Sequence, residues 1–310
     1  MSDQIDKINK IEGVIITMEK ELEKCQALFL EDDQKISTEE QGQLDLMFLN
    51  LNKVVADLFQ RKAALPPEID IAKFNAGTYE KDNYAPTTGG LFDVSLNPSN
   101  GRLEILSKMK FDFIDGTAAK FVGHVGESHI WTAAEKKKWQ ASFIALIEGR
   151  WGGKYHFVHP DMPTVTVYVD VEVEHADAGW HYEANVTKIP KGKMEISSVQ
   201  NFVDPSKTVP GRLKAKLDSE DLAWADKGVT DKQKGGVHEY GHMVGLDDEY
   251  PVDGAIAHAT MVRDALGTVL LEGKFNDIMS SGNQIKKQHY VTFLQALKDV
   301  TNLKKWQFKK

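Results

Sequence analysis

Two periodicities of apolar residues divide this chain. From Ile8 to Phe29 apolar positions recur at alternating intervals of three and four, through Ile11, Ile15, Met18, Leu22 and Cys25, the spacing of one helical face. Glu31-Asp32-Asp33-Gln34-Lys35 interrupts the stripe, and Ser37 with Glu40 forms a capping-box start for a second helix. Its stripe runs through Leu44, Met47, Leu51, Val54 and Leu58. Two helices of similar length across a short polar link predict an antiparallel helical hairpin over residues 1–64, closed by Pro66-Pro67. Phe48, Val55 and Phe59 widen the second stripe, which predicts a further packing partner. Cys25 occupies a core position of the first stripe and reads as a packing residue.

Beyond the prolines the period shortens to two. Leu91–Leu96 and Leu103–Leu106 flank Asn97-Pro98-Ser99-Asn100-Gly101 and predict a β-hairpin, with Lys110–Asp115 as a further strand. Thr132 and Glu135 form a capping box that opens a helix through Ile147. Val165, Val167, Val169, Val171 and Val173 alternate with Thr166, Tyr168, Asp170 and Glu172, the pattern of a half-buried strand. Residues 194–203 predict another strand, 219–226 a short helix, 237–245 a helix and 285–300 a final helix. The expected fold class is α+β. The expected divisions are the hairpin at 1–64, a β-rich lead-in at 65–125 and a main domain at 126–310.

Composition narrows the function classes. The chain has 310 residues, 41% of them hydrophobic and 27% charged, which suits a soluble protein with ample core. A net charge of -8 argues against a nucleic-acid surface. No apolar run reaches the length of a membrane span, and the first residues lack the apolar core of a signal peptide. These features predict synthesis in the cytoplasm and no membrane span. One cysteine excludes an intramolecular disulfide.

The candidate chemistry lies at His238-Glu239-Tyr240-Gly241-His242. On a helix, residues four apart share a face, so His238 and His242 can offer two imidazoles to one metal with Glu239 beside them. Gly245 suits a left-handed helix end that can bring Asp248 back as a third ligand. Asp247 and Glu249 compete for that role. A structural zinc site usually fills four positions with Cys and His, and Cys25 is remote, so an open fourth position is the better reading. The other seven histidines, among them His258, show no metal spacing.

His238, Glu239, His242, Gly245 and Asp248, followed by Asn276-Asp277-Ile278-Met279-Ser280-Ser281-Gly282, resemble the metzincin branch of zinc metallopeptidases, whose pattern is HExxHxxGxxH or HExxHxxGxxD with a later methionine turn. The resemblance implies a zincin-like domain with a mixed twisted sheet, an active-site helix and a Met-turn. It also implies Zn2+ on His238, His242 and Asp248, Glu239 as general base, and Met279 as a hydrophobic floor. The tyrosine that some members place two residues after that methionine is Ser281 here. His289 and Tyr290 are therefore candidate oxyanion donors.

The reading is a zinc metalloendopeptidase acting on protein or peptide substrates. Its alternative is a non-catalytic zincin-fold binding or structural component of a phage-tail-like injection particle. The arrangement is similar to metallopeptidase proteins of bacterial contractile injection systems. That likeness rests on His238–Tyr250 and Met279–Tyr290 and implies an exported effector whose hairpin docks on a carrier.

Overall fold

The computed structural model describes residues 72–200, 213–226, 232–249, 256–268 and 276–309, with scattered helical positions between 10 and 60. Most of the expected hairpin, with Ser37, Glu40, Cys25, Phe48, Val55 and Phe59, lies outside the described residues.

After a helical turn at Ala72–Asn75 come β1 (Tyr79–Tyr84), β2 (Phe92–Asn97) and β3 (Arg102–Ile114). The first long helix, α1 (Ala133–Trp151), leads to β4 (His156–His159), β5 (Met162–His175), β6 (Tyr182–Thr187), β7 (Ser198–Val199) and β8 (Leu213–Asp218). Two short strands, β9 (Ala225–Asp226) and β10 (Lys232–Gln233), pair with each other and precede helix α2 (Gly235–Met243). Helix α3 (Ile256–Leu266), a 3-10 turn at Lys287–Tyr290, helix α4 (Val291–Thr301) and β11 (Gln307–Phe308) follow.

Among the described residues the main sheet is mixed, in the order β11-β4-β5-β3-β6-β8-β7, with β2 beside β3 and β1 outside β2. β3 is its spine. Residues 102–109 pair in parallel with β5 and residues 109–114 in parallel with β6, while 102–106 pair antiparallel with β2. β6 and β8 are parallel, and β7 closes that edge antiparallel to β8.

The alternation along β3 decides where the helices go. Leu103, Ile105, Ser107, Met109 and Phe111 are buried, whereas Arg102, Glu104, Lys108, Lys110 and Asp112 are only half-buried. The second set carries ion pairs, Arg102 with Glu104, Asp170 and Glu172, and Lys108 with Asp93. Phe111 of the first set lies against α1, whose Trp139, Phe143, Leu146, Ile147 and Trp151 are buried at helical spacing. Phe111 meets Phe143 edge-on at 5.7 Å, and Trp139 stacks on Phe143 at 5.2 Å. The capping box expected at Thr132 and Glu135 is present, and α1 extends four residues past the expected end.

Three expectations are corrected. The boundary at 125 falls inside one sheet and one continuous core, because the spine strand of the lead-in pairs with strands of the main domain. Residues 110–115 extend the strand that starts at Arg102 and form no separate strand. Residues 219–226 are not helical: they form turns that end in β9. There Asp218 Oδ1 accepts from Glu220 N at 2.7 Å and Asp221 Oδ2 accepts from Asp218 N at 2.8 Å. Asp221 O, which a helix would offer to Ala225 N, accepts instead from Gly236 N at 2.9 Å, and Ala225 pairs with Gln233 across β9 and β10.

Candidate metal centre

Helix α2 is short and almost wholly buried, so its direction is set by what surrounds it. Tyr240 Oη and Ser107 Oγ lie 3.0 Å apart, tying the helix to the spine strand. Trp151 donates to Val237 O at 3.2 Å, and Tyr182 Oη and Leu91 N both donate to Met243 O, at 2.9 and 3.0 Å. Met243 O, one of the end carbonyls that lack an intrahelical partner, is thereby satisfied.

Gly245 ends the helix with φ +90°, a conformation that disfavours other residues. A Cβ there would lie 2.4 Å from Gly89 O. The chain then reverses, and Leu246 O comes within 2.7 Å of His242 Nδ1. A carbonyl can only accept, so Nδ1 carries the hydrogen and Nε2 keeps its lone pair. His238 is held in the same way, with Nδ1 2.7 Å from Ile278 O.

Both lone pairs converge. His238 Nε2 and His242 Nε2 are 3.2 Å apart, and Asp248 Oδ1 lies 3.2 Å from the first and 3.4 Å from the second. Ligands about 2.0–2.1 Å from a tetrahedral zinc are spaced at about 3.3–3.4 Å. Two carbonyl-anchored imidazoles and one carboxylate oxygen therefore form one face of such a tetrahedron, and the donor set fits the ion. Burial works against charge on both sides of this cluster. The imidazole–carboxylate contacts outweigh it, raising His242 and holding Asp248 well below the usual carboxylate range.

Glu239 follows His238 on the helix and is 6% exposed. Below the helix, Met279 is fully buried, and a Cβ on Gly241 would meet its Sδ at 2.2 Å. Ser280 N and Gly282 N both donate to Asp277 O at 3.0 Å, which closes the turn carrying Met279.

The remaining candidates are placed elsewhere. Glu249 turns away from the triad, its backbone N donating to Met279 O at 2.8 Å and its Oε1 3.0 Å from His289 Nε2. Asp247 is outside the converging set. His289 and Tyr290, expected as oxyanion donors, are fully buried with their polar atoms committed. His289 Nδ1 accepts from Lys286 N at 2.8 Å, and Tyr290 Oη donates to Trp151 O. Both are removed from the proposed chemistry for that reason.

Glu249, Asp277 and His289 form a second group with ligand-type atoms in reach of one another. Its donors are already internal: Gln288 Nε2 lies 2.9 Å from both Glu249 Oε1 and Asp277 Oδ2, and Lys286 Nζ pairs with Asp277. With Nδ1 accepting, His289 must hold its hydrogen on Nε2 and has no lone pair to give a cation. The group is a hydrogen-bond network.

Sequence reasoning missed this network and Gln233, the buried residue two positions before α2. No spacing motif marks either. The chain matches no family model, no curated protein and no solved structure. Among the described residues no helix is long and apolar enough to cross a membrane.

Proposed function

We propose that the protein is a zinc-dependent endopeptidase, with His238, His242 and Asp248 as the metal ligands and Glu239 as the general base. The observation that carries this reading is the spacing of 3.2, 3.2 and 3.4 Å among three ligand atoms whose protons are arranged to leave lone pairs facing one point. When bound, zinc supplies Lewis acidity and lowers the pKa of a coordinated water. The chain's own residues do the rest. The Leu246 and Ile278 carbonyls fix the tautomer of each imidazole. Asp248 adds one negative charge to the ligand set, and Glu239 takes a proton from the attacking water and returns it to the leaving amine. Gly241 leaves the space that Met279 Sδ fills beneath the helix, which a Cβ there would invade.

An intact glutamate beside the first histidine favours hydrolysis over a binding scaffold, which needs at most the ligands. The test is Glu239→Gln in the full chain. Zinc content should stay at the wild-type level while cleavage of an unfolded protein substrate falls by about a hundredfold or more. Undiminished cleavage in that variant would sink the mechanism. A zinc-loaded wild type that cleaves nothing would favour the scaffold reading.

A further inference from the structure

We infer that Gln233 is a positioning residue for the metal centre: its side-chain amide holds the 277–282 turn in place and through that turn fixes the His238 imidazole. The inference rests on the zinc reading of His238, His242 and Asp248.

Gln233 is fully buried at the end of β10, just ahead of the ligand helix. Its Nε2 lies 2.8 Å from Ile278 O, 2.9 Å from Ser280 O and 3.0 Å from Gly282 O. It is also 3.3 Å from His238 Nδ1. An amide nitrogen has two hydrogens for these three carbonyls. Ile278 O already receives the His238 Nδ1 hydrogen at 2.7 Å, so the two amide hydrogens suffice for Ser280 and Gly282. The amide cannot be turned over, because its oxygen would then face three carbonyl oxygens. In this orientation Oε1 is buried without a hydrogen-bond partner among the described residues, a costly arrangement kept where an apolar side chain of similar size would spare that cost. The amide hydrogens are what the position requires.

The turn they hold has two duties at the centre. Ile278 O sets the His238 tautomer, and Met279 Sδ occupies the space above which Gly241 lacks a side chain. Without the amide, Ser280 O and Gly282 O are buried acceptors lacking this donor, and the turn shifts to find others. His238 then loses its anchor while remaining in the sequence. Such outer partners are worth on the order of tenfold or more in metal affinity.

The experiment compares full-length wild type, Gln233→Met and Thr301→Val. Methionine keeps the length of glutamine and removes both donors. Thr301 is a buried control whose hydroxyl bonds Trp306 Nε1 at 3.0 Å and Leu297 O at 2.6 Å on another element. Three quantities are read: zinc release to a chelator, the visible spectrum of the cobalt-substituted protein, and the imidazole 15N shifts of His238 in metal-free protein. Gln233→Met should release zinc on the order of tenfold faster, shift the cobalt bands and lose the Nδ1–H signature of His238. Thr301→Val should leave all three at wild-type values while lowering the melting temperature. Wild-type release and spectra in Gln233→Met, or equal changes in Thr301→Val, would overturn the inference. Gln233→Asn, with the amide one methylene short, is read if the methionine variant does not fold. Insoluble protein from both would make Gln233 a folding residue and overturn the inference as well. A wild type that binds neither zinc nor cobalt would defeat the zinc reading alone, since the His238 tautomer in metal-free protein still reports on Gln233.

Discussion

Asp248 and Glu249 are neighbours, each facing histidine, yet their two clusters distribute protons in opposite ways. Around Asp248 both imidazoles give their Nδ1 hydrogen to a carbonyl and turn lone pairs inward. Around Glu249, His289 gives its lone pair to the Lys286 amide and turns a hydrogen inward. The first cluster is short of a positive centre. The second already has its donors in Gln288, Lys286 and His289. Backbone donors and acceptors around a histidine therefore decide whether it turns a lone pair or a hydrogen inward.

The sharpest way to break this comparison is to exchange the effects of the two clusters. His238→Ala or His242→Ala should abolish zinc retention on dialysis, because each removes one of three protein ligands, whereas His289→Ala should retain zinc when metal content is measured on folded protein. Retention by the first pair with loss by the third would reverse the assignment. His289→Ala should instead cost about 3–5 kcal/mol in urea unfolding, since it leaves a buried carboxylate short of a donor. A cost below about 1 kcal/mol would mean that Glu249 is compensated by some other group.

A smaller effect should appear with pH. His258 on α3 is fully buried, and burial pushes it down to about 4 from an ordinary 6.5. The unfolded chain therefore binds the proton first. The sign is that stability present above the ordinary value is lost as pH falls, down to the folded value, by at most about 3 kcal/mol. The difference between wild type and His258→Leu in urea unfolding should vary over that window and flatten above it. A constant difference from pH 7 to 4 would contradict the burial argument. The smallest effect is expected from removing residues 1–64. Asn52 comes close to Gly153, where a Cβ would lie 2.6 Å from its Oδ1, but none of the proposed ligands lies in that region. Zinc content should be unchanged, and loss of zinc would place the hairpin and the centre in one core.

Much of this arrangement was legible in the sequence where one local rule operates. The four-residue interval of His238 and His242 needs only a helix, and the valine alternation of β5 needs only a sheet face. The length of β3 was less legible, because Leu106 faces outward and Ser107 inward, reversing the expected polarity in mid-strand. Ser107 is inside to meet Tyr240, which is distant in sequence. The 219–226 segment failed for a related reason, since Asp221 O is taken by Gly236 N and Ala225 pairs with Gln233, partners that lie further along the chain. The proton pattern of the two clusters was illegible for the most basic cause. It depends on Ile278 O, Leu246 O and Lys286 N, and backbone atoms carry no signature in a residue string.

The Ile278 anchor also sets a clock. During synthesis both imidazoles emerge well before the carbonyl that orients the first of them, and that turn must still meet Gln233, whose partners lie 45 to 49 residues further along. Loop closures of this length make long-range contacts slow relative to helix formation. A nascent chain that has reached Leu246 has the ligand helix in sequence and nothing to hold His238 in its tautomer. On the proposed zinc reading, metal capture would belong to the last stage of folding, after the turn has docked.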